Sequence, residues 1–210
     1  VIRVALVDDH ALIRRGLRDA LHETQDIRVV GEASDYGELR QLMRDTPFDV
    51  LLLDINLPGR SGLDVLHSLS DESQKVRVLM LTMHPEAQYA IRALKAGAMG
   101  YLNKSAESVQ IIEAIRTLAS GRKFITPAIA HALAERLSVD ESLAAHERLS
   151  DREFQTLIRL ASGQRLSDIA EELKLSPKTV SVYRARVLEK LAVQSNAELT
   201  AYCLRNGLID

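Results

Sequence analysis

The feature that most constrains this chain is an alternation confined to its first 120 or so residues. Short runs rich in Val, Leu and Ile (Ile2–Val7, Ile27–Ala33, Val50–Leu53, Val76–Leu81 and Gly100–Leu102) are separated by longer segments. Those segments, Ala11–Glu23, Tyr36–Arg44, Leu63–Leu69, Glu86–Ala96 and Glu107–Ser120, carry apolar residues three and four apart, as in Leu12, Gly16, Leu17, Ala20 and Leu21. Continuous apolar runs belong to strands buried on both faces, hence to a parallel sheet between two helical layers. Five such βα units predict a doubly wound α/β domain, with right-handed crossovers and flavodoxin-like strand order.

Beyond residue 121 the strand signal stops. Pro127–Leu137 reads as an amphipathic helix with proline in its first turn. The polar stretch Ser138–Arg148 reads as a linker, and four helix starts follow. Ser150 with Glu153 predicts a capping box, Ser167 a simple cap, Ser176-Pro177 a cap followed by proline, and Ser195 with Glu198 a second capping box. The expected organisation is an α/β domain over 1–121, a linker over 122–148 that includes the helix 127–137, and an all-α domain of four helices over 149–210.

Composition enters through what it excludes. No apolar run reaches the roughly 20 residues of a membrane span, and Asp8 and Asp9 follow the first apolar run too soon for a secretory signal. Cys203 is the single cysteine, which rules out an intrachain disulfide or a cysteine metal cage. These readings point to a cytoplasmic protein. Net charge is −2, but Lys174, Lys178, Arg184, Arg186 and Lys190 face only Glu189 between residues 174 and 190. Such an excess suits phosphate binding, although on charge alone a solvated helix face is the simpler account.

Chemistry concentrates at the strand ends. Asp8 and Asp9 follow the first strand and Asp54 ends the third; these strands are neighbours at the switch point of the expected sheet, where ligands bind. Three converging carboxylates call for a hard divalent cation, and Mg²⁺ prefers oxygen ligands and retains waters for an incoming phosphate. Thr82 after the fourth strand and Lys104 after the fifth add a hydroxyl and an ammonium, enough to surround a phosphoryl group on Asp54. His10, at the start of the first helix, reads as a capping or solvent-facing residue, and His84-Pro85 as shaping the approach to the site.

The set Val7-Asp8-Asp9-His10, Leu53-Asp54-Ile55-Asn56-Leu57-Pro58-Gly59, Leu81-Thr82, Tyr101 and Lys104 resembles the receiver domain of response regulators over residues 1–121. The resemblance implies that Asp54 accepts phosphate from a histidine kinase. It implies that Asp8, Asp9, Asp54 and the backbone carbonyl of Asn56 hold Mg²⁺. Thr82 and Tyr101 would move together as switch residues, and Lys104 would contact the phosphate. Two other classes compete. A Mg²⁺-dependent phosphohydrolase working through an aspartyl-phosphate usually has a second acid two residues after the nucleophile, where this chain has Asn56. A nucleotide-binding Rossmann domain would need a glycine-rich loop that Val7-Asp8-Asp9-His10-Ala11 lacks.

In the second half, a short helix with Ile169, Ala170 and Leu173 meets a tight turn and a helix opening on Pro177, with Val180, Val187 and Leu191 at core spacing. From Leu149 to about Ala201 this resembles the LuxR-type helix-turn-helix, and with a receiver, the NarL/FixJ class. The matching residues are Leu149, Arg152-Glu153, Leu157, Gly163, Ile169-Ala170, Leu173, Ser176, Thr179-Val180 and Lys190-Leu191; Tyr183 stands where histidine is more usual. The resemblance places Lys178, Ser181, Val182 and Ala185 toward bases in a major groove, with Thr179, Arg186 and Lys190 nearer phosphates. The implied partner is promoter operator DNA, double-stranded, bound by a homodimer. The implied switch is phosphorylation freeing the helix Lys178–Lys190 from an acidic first half, in which residues 1–148 hold 18 basic against 21 acidic side chains.

Overall fold

The structure is a computed structural model that describes residues 1–70, 76–83, 86–137 and 144–209. Of the expectations above, His84-Pro85 and residues 138–143 of the linker lie outside the described residues. The chain divides into two compact units, Val1–Val139 and Asp140–Asp210.

The first unit contains strands β1 (Ile2–Val7), β2 (Ile27–Ala33), β3 (Val50–Asp54), β4 (Arg77–Thr82) and β5 (Gly100–Asn103), interleaved with helices α1 (Ala11–His22), α2 (Tyr36–Asp45), α3 (Gly62–Ser70), α4 (Glu86–Lys95) and α5 (Ser108–Ala119). All pairings are parallel and the strand order is β2-β1-β3-β4-β5, the doubly wound arrangement expected. Every residue of β3 is buried, as befits a central strand covered on both faces. One face of the sheet presents Val4, Leu6, Val50, Leu52, Leu79, Leu81 and Leu102 to Leu21 of α1 and Ile111, Ala114, Ile115 and Leu118 of α5. Truncating a side chain as enclosed as Leu52, 1% exposed, costs about 2–5 kcal/mol.

Residues beyond 121 stay with this unit. Phe124 pairs with Gly100 beside β5, its N–H donating to the Met99 carbonyl at 2.9 Å. Helix α6 (Pro127–Leu137) has the bounds that its sequence suggests, but it packs against α4 instead of standing alone in a linker. Burial of Ile129, which is 0% exposed, anchors it.

The second unit begins with a 3₁₀ turn, Ala145–Arg148, inside the segment expected as linker. Helices α7 (Asp151–Ala161), α8 (Leu166–Glu172), α9 (Pro177–Leu191) and α10 (Asn196–Arg205) follow. Ser150 and Glu153 form the full capping box, and Ser176 accepts from the Thr179 N–H ahead of Pro177. Two caps differ from expectation. Helix α8 starts two residues earlier than expected, with Arg165 at its N-cap, so Ser167 lies within its first turn and bonds Asp168. At α10 only half a capping box forms, because the Glu198 carboxylate accepts from the Gln194 N–H instead of that of Ser195.

Candidate functional site

The ladders of the first unit continue just past their strands and bring the chemistry into one row. The Asp8 N–H donates to the Ala33 carbonyl at 3.2 Å, Ile55 to Leu81 at 3.3 Å and Lys104 to Thr82 at 2.7 Å. Asp8, Asp54, Thr82 and Lys104 are thereby fixed at the carboxyl edge of β1, β3, β4 and β5, where doubly wound sheets bind ligands.

Asp8 is 3% exposed, Asp54 2% and Thr82 0%. Lys104 reaches across them, its Nζ 2.5 Å from Asp8 Oδ2 and 2.8 Å from Asp54 Oδ2. Burial pushes the Asp54 carboxyl above its ordinary range, and repulsion from Asp8 adds to this, while the Lys104 ammonium pulls the other way. The Asp54 carboxylate is buried, and the Asn56 backbone N–H and Lys104 oppose the upward shift. The donor atoms of Asp8, Asp9, His10 and Asp54 all lie within 4.8 Å of one another. Buried carboxylate oxygens in excess of the positive charge facing them suit a divalent cation, so the residues fit a metal site. Tyr101 lies in β5 with its ring fully buried, and Asn56 lies two residues beyond Asp54 in the loop before α3.

The structure adds contributors that sequence reasoning passed over. Arg14 donates to the backbone carbonyl of Asp8 at 2.5 Å and pairs with Glu32 on β2 at 3.3 Å, which pins the β1–α1 loop. Gly62 lets the start of α3 lie against the Asp54–Ile55 backbone. A Cβ there would fall 2.0 Å from the Asp54 carbonyl oxygen. The spacing Asp54…Gly62 was the only available signal, and it carries meaning only once the helix is folded back. His10 is largely exposed, in keeping with the solvent-facing reading, but it also faces the acids. It holds the N-cap position of α1 without a side-chain cap, and its ring turns to the acids, with Nδ1 2.8 Å from Asp9 Oδ1 and 3.2 Å from Asp8 Oδ1.

In the second unit, α8 and α9 pack through Ile169, Ala170, Leu173, Val180 and Val187, all buried. The turn between them is set by Lys174 in the left-handed region at φ 54°, with Lys174 N–H to Glu171 and Leu175 N–H to Ala170 closing the end of α8. The outer face of α9 carries exposed Lys178, Ser181, Val182, Ala185 and Arg186, and Thr179 is half-buried at its start. A shallow depression runs between Ser176, Lys178, Thr179, Val182, Tyr183 and Arg186. Lys190, grouped above with these, is committed elsewhere, its Nζ lying 2.6 Å from the buried Glu153. Burial would raise the Glu153 carboxyl, but Lys190 and the Ser150 N–H outweigh it and hold it below its ordinary value. Arg184 is likewise engaged within the unit, donating to Asn196 Oδ1 at 2.8 Å. Cys203 is buried, and burial pushes its thiol up to about 11, as expected of a packing residue.

A five-stranded doubly wound domain with acids at its carboxyl edge, followed by a helix-turn-helix, defines a class, and comparison with known proteins gives the same answer. Residues 4–116 match the response regulator receiver domain family, and residues 147–203 match the luxR family of bacterial regulatory proteins. The chain belongs to the response regulators of the NarL/FixJ class, a receiver joined to a LuxR-type DNA-binding domain.

Among its relatives, response regulator UvrY of Escherichia coli is 37% identical over 99% of this chain and 96% of its own. Response regulator GacA of Pseudomonas aeruginosa is 34% identical over 100% of this chain and 99% of its own. A solved structure of RcsB from Salmonella enterica serovar Typhimurium, bound to a promoter in the presence of phosphomimetic BeF3−, aligns with a TM-score of 0.60. It is 26% identical, covering 96% of this chain and 97% of that one. The family is one of regulators rather than classical enzymes. No helix among the described residues is long and apolar enough to cross a membrane.

Proposed function

We propose that Asp54 is the phosphoacceptor of this regulator and that its phosphorylation by a histidine kinase controls operator binding through α9. The observation that carries the reading is the Asp54 carboxylate, buried at the tip of β3 between Asp8 and Lys104. In the reaction an Asp54 oxygen bonds to phosphorus, the phosphorus–nitrogen bond of the kinase phosphohistidine breaks, and the imidazole leaves. Asp8, Asp9, Asp54 and the Asn56 backbone carbonyl would hold Mg²⁺, which when bound neutralises charge on the transferring phosphoryl group. Lys104 supplies a fixed positive charge to the phosphoryl oxygens, and Arg14 keeps the Asp8 carbonyl in place. Thr82 and Tyr101 are the switch pair.

Phosphorylation favours a homodimer whose two α9 helices enter successive major grooves of promoter DNA, in the cytoplasm. Lys178, Ser181, Val182 and Ala185 face bases; Thr179, Arg186 and, from the edge, Lys190 lie toward phosphates. The complex of the relative RcsB with a promoter in the presence of a phosphomimetic supports this assignment. The phosphoacceptor function is assigned to residues 1–121, against which Phe124 and α6 pack, and DNA binding to residues 149–210. With a small-molecule phosphodonor and Mg²⁺, wild type is expected to form an acyl phosphate and to bind promoter DNA more tightly. Asp54→Asn is expected to do neither, and donor-stimulated binding by that variant refutes the reading.

A further inference from the structure

His10 has a position that the phosphoryl chemistry does not use. Its ring is largely exposed and serves no capping role, yet Nδ1 sits 2.8 Å from Asp9 Oδ1 and 3.2 Å from Asp8 Oδ1. Adjacent ligands on an octahedral ion with bonds of about 2.1 Å lie about 3 Å apart. The three atoms therefore have the spacing of neighbouring positions around a single ion. Asp54 completes the group, with all four donor atoms within 4.8 Å of one another. Its carboxylate, 2% exposed and paired with Lys104 through Oδ2, contributes a buried negative charge to the same cluster.

Asp8 is divided between two neighbours. Its Oδ1 faces the His10 ring and accepts the His10 N–H at 2.9 Å, whereas its Oδ2 meets Lys104. An ion on the His10 side thus shares Asp8 with the lysine instead of displacing it. The donor set changes which ion is favoured. Mg²⁺ takes oxygen, whereas an imidazole nitrogen suits borderline first-row ions such as Co²⁺, Ni²⁺ and Zn²⁺.

We propose that His10 is a direct ligand that makes the Asp8–Asp9–Asp54 cluster a mixed nitrogen–oxygen site for borderline divalent transition metals, in competition with Mg²⁺. The inference rests on the acidic cluster being the cation site of the receiver. An ion held this way has one fewer position open for phosphate oxygens, which gives transition-metal supply a route to the phosphorylation state.

The test is calorimetric titration of the metal-free full chain with Mg²⁺ and, separately, with Ni²⁺, for wild type, His10→Ala, His10→Gln and Asp9→Asn. Pulsed EPR of the Co²⁺-loaded proteins accompanies it. His10→Ala and His10→Gln are expected to weaken Ni²⁺ by about tenfold or more and Mg²⁺ by less than about threefold. A nitrogen coupling to Co²⁺ in wild type should vanish in both. Equal Ni²⁺ affinity in wild type and His10→Ala, with unchanged nitrogen coupling, overturns the role of His10 while leaving the acidic site standing. Affinity for either ion that is indifferent to Asp9→Asn overturns the underlying reading as well.

Discussion

Replacing Gly62 with alanine tests how tightly the phosphoacceptor loop is built. The new methyl would lie 2.0 Å from the Asp54 carbonyl oxygen and 2.9 Å from both its carbon and the Ile55 Cα. All three are backbone atoms, so no side-chain rotation relieves the clash. Van der Waals contact begins beyond 3 Å, so α3 must withdraw by about 1 Å. Overpacking of this kind costs about 1–3 kcal/mol. Stretching the 2.8 Å bond from the Gly62 N–H to the Ile55 carbonyl adds about 1 kcal/mol. The expected destabilisation is thus about 2–4 kcal/mol, read by urea unfolding of the full chain.

Because the strain acts on the backbone of Asp54 itself, phosphorylation by a small-molecule donor should slow by about a hundredfold, the usual penalty for misplacing a reacting group by about 1 Å. Gly16→Ala is the control. A Cβ there meets nothing within 4 Å in the middle of α1, so that variant should gain about 0.5–1 kcal/mol and phosphorylate normally. Gly62→Ala unfolding within about 0.5 kcal/mol of wild type and accepting phosphate at the wild-type rate would refute the reasoning.

Lys104→Met leaves Asp8 and Asp54 facing each other without their shared counter-ion and should cost about 3 kcal/mol in urea unfolding; the loss should shrink in an Asp54→Asn background, and an undiminished loss there would contradict the three-way pairing. Glu153 is held below its unfolded value, so its contribution is present above the ordinary carboxylate range and is lost as pH falls through the folded value. The stability gap between wild type and Lys190→Met should therefore be widest above the ordinary carboxylate range, from about pH 5 upward, and narrow as pH falls below that range, followed by thermal unfolding against pH. Ala192, in the left-handed region at φ 54° past the end of α9, should accept glycine with a gain of about 0.5–1 kcal/mol, measured by denaturant unfolding.

What could be read from the sequence was whatever depends on local pattern. Continuous apolar runs gave all the strands to within a residue, and the order of acids, hydroxyl and lysine along the chain placed Asp8, Asp54, Thr82 and Lys104 at one sheet edge because parallel topology leaves little choice. Pairings that exist only after folding escaped it. Glu153 and Lys190 are 37 residues apart, so the pairing by which a lysine read as facing phosphate also joins two helices was not visible in the sequence. The orientation of the His10 ring and the fit of Gly62 depend on distances of a few tenths of an ångström. Two details of capping escaped for smaller reasons: α8 begins ahead of Ser167, and at α10 the Glu198 carboxylate had two backbone amides within reach, between which sequence does not choose.

The division of labour along α9 has a consequence for how such a regulator diversifies. Val180, Val187 and Leu191 are sunk in the bundle, and Arg184 and Lys190 are tied to Asn196 and Glu153. Lys178, Ser181, Val182, Ala185 and Arg186 stand on the outer surface of the same rod. Under the proposed function, recognition and folding are written in interleaved positions of one helix, and the outward letters can be rewritten without touching the inward ones. On that reading, a duplicate of this gene would need only a few substitutions on that surface to acquire a new operator while answering to the same aspartate.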